Sequence, residues 1–100
     1  VIPVEFHPAA RAELGASIAF YESRLGGLGL RFLAAVEETT GRIASSPEGG
    51  SPMDSGIRRR LVPGFPFSVI YRVANDAVVV LAIAHQHRRP GYWHRRPARR

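Results

Sequence analysis

Ile57-Arg58-Arg59-Arg60-Leu61-Val62-Pro63-Gly64-Phe65-Pro66-Phe67-Ser68-Val69-Ile70-Tyr71-Arg72-Val73-Ala74-Asn75-Asp76-Ala77-Val78-Val79-Val80-Leu81-Ala82-Ile83-Ala84 is the stretch that decides the fold. Its period is two, and it is rich in β-branched residues. Turn signals cut it at Pro63-Gly64 and at Asn75-Asp76. It therefore reads as three strands, Ile57–Val62, Phe67–Val73 and Val78–Ala84. The last is apolar at every position, so it belongs in the middle of a sheet with both faces covered.

Upstream the period becomes helical. Leu14, Ile18, Tyr21 and Leu25 recur at spacings of four, three and four, and so do Phe32, Val36, Thr39 and Ile43. His7-Pro8 opens the first helix, because proline suits a first helical turn. Gly26-Gly27 ends it, and a second helix is predicted from Leu28 to Ser45, stopped by Pro47. Val4-Glu5-Phe6 reads as a short edge strand behind Pro3. Residues 46–56 read as a loop. The predicted order is β-α-α-β-β-β: an α+β domain with a helical hairpin packed on one face of a small, mainly antiparallel sheet. One domain covers 1–100, and 86–100 form a basic aromatic tail.

The composition narrows the function. The chain has 100 residues, no Cys, and a net charge of +6. Without cysteine there is no disulfide scaffold, no thiolate metal site and no Cys nucleophile. His7, His85, His87 and His94 have no acid at ligand spacing, so no metal site and no cofactor is expected. Ala77–Ala84 is too short an apolar run to span a membrane, and no signal peptide is read at the start. The expected location is cytoplasmic. All fourteen basic residues are Arg, and ten of them fall after residue 54, where Asp76 is the sole acid. So uneven a charge suggests a polyanionic partner, although codon usage alone accounts for some arginine excess.

Several segments in this order resemble the RelE/ParE superfamily of type II toxin–antitoxin toxins. They are Phe6-His7-Pro8-Ala9-Ala10, Gly29-Leu30-Arg31-Phe32-Leu33, Gly56-Ile57-Arg58-Arg59, Phe65-Pro66-Phe67-Ser68-Val69-Ile70-Tyr71-Arg72-Val73, and Val79-Val80-Leu81-Ala82-Ile83-Ala84-His85 with Arg89-Pro90 and Tyr92-Trp93 beyond. The resemblance implies a plasmid-stabilisation type of growth-arresting toxin held inactive by a cognate antitoxin. An acidic antitoxin segment that folds on binding would lie across the hairpin's apolar strip and along the basic sheet.

Two targets follow from the two branches. RelE-like members cleave mRNA on the ribosome. In that reading Arg58, Arg60, His85, Arg88 and Tyr92 are the catalytic candidates: a His for proton transfer, Arg for phosphorane charge, Tyr to position the RNA. Strand alternation places Arg58, Arg60 and Arg72 together on the open face of the sheet, a concave basic floor edged by the aromatic tail. The position where a third-strand Arg is expected holds Ser68. ParE-like members poison DNA gyrase without a catalytic basic set, and the long helical hairpin here looks more like theirs. Arg58, Arg59, Arg60, Arg72, His87, Arg88, Arg89 and Trp93 are then the candidates for target or nucleic-acid contact. A nontoxic relative that persists as a binding domain is the third reading. The parity of Val79, Leu81 and Ile83 continues to His85, which suits either a structural or a catalytic histidine. Tyr92 and Trp93 are expected to pack the tail back onto the sheet.

Overall fold

Asn75 and Asp76 both take positive φ, 53° and 61°. This is the left-handed pair that a two-residue hairpin turn requires, and it joins the two longest strands. In the computed structural model, which describes residues 1–96, the strands are β1 (Val4–Phe6), β2 (Ser51–Pro52), β3 (Arg58–Leu61), β4 (Phe67–Ala74) and β5 (Ala77–His85). The helices are α1 (Pro8–Arg24) and α2 (Leu28–Ser45), and Pro47–Gly49, Asp54–Gly56 and Tyr92–Arg95 are single 3-10 turns. The sheet runs β1-β5-β4-β3-β2, with β1 parallel to β5 and the other pairs antiparallel. The predicted order holds, with one addition. The 46–56 loop contains β2, which pairs Ser51 and Pro52 with Arg59 and Arg58. Residues 97–100, the end of the predicted 86–100 tail, lie outside the described residues.

The helices start and stop for local reasons. His7 Nδ1 accepts the Ala9 N–H at 3.0 Å, satisfying one orphan donor of α1, and Pro8 follows as the first helical residue. Leu14, Ile18 and Tyr21 pack on the core as their spacing predicts. Leu25 does not. The helix ends at Arg24, and Leu25 swings to extended backbone and stays 59% exposed. In α2 all of Phe32, Val36, Thr39 and Ile43 are buried. The turn between the helices is held by Glu22, whose carboxylate accepts the N–H groups of Gly27 at 2.8 Å and Gly29 at 2.9 Å. A carboxylate of α1 therefore supplies the cap that α2 lacks locally. The helices approach closely here, and a Cβ on Gly29 would lie 2.6 Å from the Ile18 carbonyl.

Between β4 and β5 the register slips. Ile70 pairs with Ala82 but Tyr71 pairs with Val80, which leaves Leu81 as an extra residue in a β-bulge. The side-chain alternation of β5 changes there. Val78, Val80 and Ile83 face the helices, whereas Val79, Leu81, Ala82 and Ala84 face the other side. That second face is a core in its own right. Trp93, on the returning tail, is only 5% exposed and packs with Ile57, Ile70, Val79, Leu81, Ala82 and Ala84. The tail packs back on the sheet as its aromatic content predicts.

Tyr71 ties the layers together from inside. Its side chain is fully buried; the hydroxyl donates to the Pro47 carbonyl at 2.6 Å and accepts the Gly50 N–H at 3.1 Å. Tyr71→Phe removes both bonds and leaves the Gly50 N–H unpaired. It should lower stability by about 1–3 kcal/mol, read as a shift of the urea midpoint. Gly29→Ala should cost a similar ~1–3 kcal/mol by forcing the helices apart, measured in the same way.

Candidate functional site

Cross-strand pairing fixes the face of each basic residue, since directly opposed residues share a side of the sheet. Arg58 stands opposite Tyr71 and Arg60 opposite Val69, both of which face the helices; Arg59 stands opposite Ile70, which faces away. Arg72 stands opposite Val79, on the side away from the helices. Arg58 and Arg60 are therefore not on one face with Arg72, as alternation alone suggested. The error has a physical source. Ile57 is buried, but in the second core, so its strand presents the opposite face to the helices from the one assumed.

These arginines are held by the loops around them. Arg58 donates to the carbonyls of Gly50 at 2.8 Å and Glu48 at 3.2 Å, and pairs with the Glu48 carboxylate at 3.4 Å. Arg60 lies against Gly49, with its Nε buried and unpartnered among the described residues. Arg72 donates to the Ser55 carbonyl at 2.8 Å. Arg59 is exposed. Ser68, at the position where a nuclease-type arginine was expected, is itself buried on the second face opposite Leu61 and Ala84.

His85 ends β5 on the helix side. The bulge breaks the parity that grouped it with Val79 and Leu81. Its ring meets Phe67 edge-on at 5.0 Å and His87 at 5.2 Å, and its Nδ1 accepts the His87 N–H at 3.0 Å. It closes one end of a groove of about 310 Å³ lined also by Ala16, Ser17, Phe20, Tyr21 and Phe67. His87 and Arg89 are exposed on the turn that follows.

Arg88 and Tyr92 sit around a carboxylate that was not among the expected site residues. Glu13 of α1 accepts the Ile83 N–H at 3.0 Å through Oε1 and pairs with Arg96 at 2.9 Å through Oε2. Arg96 also donates to the Leu81 carbonyl at 3.0 Å. Arg88 approaches the same Glu13 oxygen at 3.8 Å. The Tyr92 ring lies between two guanidinium groups, Arg88 at 3.9 Å and Arg96 at 5.0 Å from its centre. Burial, then the charge of Glu13, push the Tyr92 hydroxyl up to about 12 against the opposing pull of Arg88 and Arg96. The hydrogen bond to Glu13 is the main cause that raises Arg96 above its ordinary value. Arg96 is one of six tail arginines, and nothing in the sequence distinguishes it from the others.

The five nuclease candidates fall on β3 and around the end of β5, where the Arg88 N–H donates to the His85 carbonyl at 2.9 Å. Arg58 and Arg60 lie on β3, fastened or pressed against the loop before β2. His85 lies in the α1 groove. Arg88 and Tyr92 lie with Glu13 beside β5. The floor expected to be open is covered by Trp93. Among the described residues no group of three His, Cys, Asp or Glu could hold a metal ion.

The family model for "ParE toxin of type II toxin-antitoxin system, parDE" matches residues 4–90. The chain belongs to the ParE toxin family. Its fold agrees: a solved structure described as "Chromosomal ParDE TA system from P. aeruginosa" superposes with a TM-score of 0.74 at 22% identity, covering 84% of this chain and 95% of that one. No curated protein matches the chain.

The Tyr92 environment gives this ParE-family chain a pH signature. The hydroxyl ionises near 10 when unfolded and near 12 when folded. The neutral form is therefore favoured by folding. Its stabilising contribution is complete below pH 10 and is lost as pH rises towards 12. The difference in stability between the native chain and Tyr92→Phe should stay constant up to pH 9 and move in favour of the variant above pH 10. Denaturation series at pH 8, 9, 10 and 11 check this.

Proposed function

We propose that this ParE-family chain arrests growth by binding a protein target, DNA gyrase, and that a cognate antitoxin neutralises it. It works in the cytoplasm; no helix among its described residues is long and apolar enough to cross a membrane. The observation that carries the reading is the tail. Trp93 occupies the sheet face that was expected to lie open as a basic floor, with Tyr92 packed beside it. Metal-free RNA cleavage needs a proton acceptor, a proton donor and a phosphate clamp within reach of one phosphate. Arg58 and Arg60 are held on β3, whereas His85, Arg88 and Tyr92 lie at the end of β5 and on the tail after it, and this division speaks against such a centre. Arg58, moreover, uses its guanidinium to hold loop carbonyls.

The surfaces left for recognition suit protein partners. Phe20, Leu25 and Leu30 are 51%, 59% and 67% exposed on the helical hairpin, and this apolar set is where the antitoxin is expected to pack. Arg59 and Arg89 are exposed, with His87. With the exposed Arg88 they are the basic side chains offered to the target.

Controlled expression in a bacterial host tests the proposal. The expected result is growth arrest with gyrase-linked DNA breaks and intact message, unchanged by the double substitution Arg58→Ala and Arg60→Ala wherever the variant still folds. Message cut inside codons, and lost in that double variant, would instead support the ribosome-dependent mRNA endonuclease. Normal growth with neither lesion would support a nontoxic binding domain.

A further inference from the structure

β5 is longer than its parallel neighbour. β1 pairs with Val78, Val79 and Val80, and its last bond is the His7 N–H donating to the Val80 carbonyl at 2.9 Å. Pro8 then starts α1 and has no N–H to offer. Among the described residues no strand flanks this side of β5 from Leu81 to His85. Two side chains stand in for one. Arg96 gives a hydrogen bond to the Leu81 carbonyl at 3.0 Å, and Glu13 takes one from the Ile83 N–H at 3.0 Å. A carbonyl and an N–H two residues apart are the pair that a single residue of a parallel neighbour would bond. The ion pair between Glu13 and Arg96, at 2.9 Å, joins donor to acceptor much as the backbone of that residue would.

The stand-in is attached to the tail. Arg96 follows the Tyr92–Arg95 turn, and its N–H donates to the Trp93 carbonyl at 2.9 Å. Tyr92 packs on the Arg96 guanidinium and on Arg88. Glu13 is the sole acid paired with this group among the described residues. The Trp93 Nε1 is buried with no hydrogen-bond partner there, so the seated tail carries an unpaired donor. One carboxylate thus holds an edge closed and a tail down.

We propose that the Leu81–His85 edge of β5 is a strand-docking site, kept closed by the Glu13–Arg96 pair, and that its occupant is an extended protein segment carrying a carboxylate. Charge dictates the carboxylate. Displacing Glu13 leaves Arg96 and Arg88 without their acid, and Arg89 and Arg95 stand nearby in sequence with no acid paired to them among the described residues. An incoming strand must therefore bring an acid to replace the one it moves. A nucleic-acid strand fits less well. Its phosphates match the arginines but offer no N–H to the Leu81 carbonyl. Docking would lift the tail, and Trp93 would leave its apolar seat. The inference holds whichever target the toxin acts on.

The chain's single tryptophan reports the event. The probes are two synthetic ten-residue peptides, one alternating Val and Glu, the other alternating Val and Lys. With the unsubstituted chain, the Glu peptide should shift Trp93 emission to longer wavelength in a saturable titration, and the Lys peptide should not. In Glu13→Gln the acceptor for the Ile83 N–H remains but the ion pair is lost. The Glu peptide should then bind about tenfold tighter, which is about 1.4 kcal/mol. Arg96→Ala, which removes the group that would receive the incoming carboxylate, should bind it more weakly than the unsubstituted chain. No emission change with either peptide on the unsubstituted chain overturns the proposal, and that experiment needs no variant to fold. Equal binding of both peptides, or an affinity for the Glu peptide unchanged by Glu13→Gln in a folded variant, also overturns it.

Discussion

Much of this molecule depends on one extra residue. Leu81 has no partner on β4, and its insertion turns the second half of β5 over relative to the first. Before it, Val78 and Val80 face the helices; after it, Ile83 and His85 do. A sheet this small must bury apolar side chains on both sides of its central strands; alternation alone lets β5 serve two cores, and the bulge decides which residues of its second half go to each. The bulge also sets the Leu81 carbonyl and the Ile83 N–H where Arg96 and Glu13 reach them. The seat of the tail, the covering of the second face and the position of His85 all follow from that slip in register.

The arginines of the basic half do unlike jobs. A guanidinium presents several donors in a rigid plane and is less strongly hydrated than an ammonium. Arg58, Arg72 and Arg96 use this to take up carbonyls of Gly50, Ser55 and Leu81 that no strand satisfies. Lysine carries its three donors on one nitrogen and cannot spread them across a plane as Arg58 does over the Gly50 and Glu48 carbonyls. Charge that reads from composition as an invitation to a polyanion is thus in part the fastening of a small sheet. Arg59, Arg88, Arg89 and Arg95 are exposed.

The fold was largely legible because its signals are local. The α2 stripe at Phe32, Val36, Thr39 and Ile43, the Asn75-Asp76 turn and the unbroken apolar run of β5 each depend on neighbours a few residues away. What escaped depends on distance. The bulge arises from pairing between Ile70-Tyr71 and Val80-Ala82, and alternation counted along one strand cannot detect it. The burial of Ile57 pointed to a core, but not to which of two. Glu13 lies seventy residues before the Ile83 N–H it accepts, and no spacing rule connects the two. Leu25 fits the helical period yet falls one residue past the helix end, because the period does not specify where a Gly-rich turn begins.

The two outer strands have a consequence for the behaviour of many copies together. β2 is two residues long and ends on Pro52; β1 is three residues long and is preceded by Pro3. Proline withholds the N–H that lateral pairing needs, and so short a ladder gives an approaching strand little to grip. A chain whose central strand reads Ala-Val-Val-Val-Leu-Ala-Ile-Ala carries a segment well suited to cross-β stacking. That segment sits inside the sheet, behind borders too short to offer another chain a long ladder.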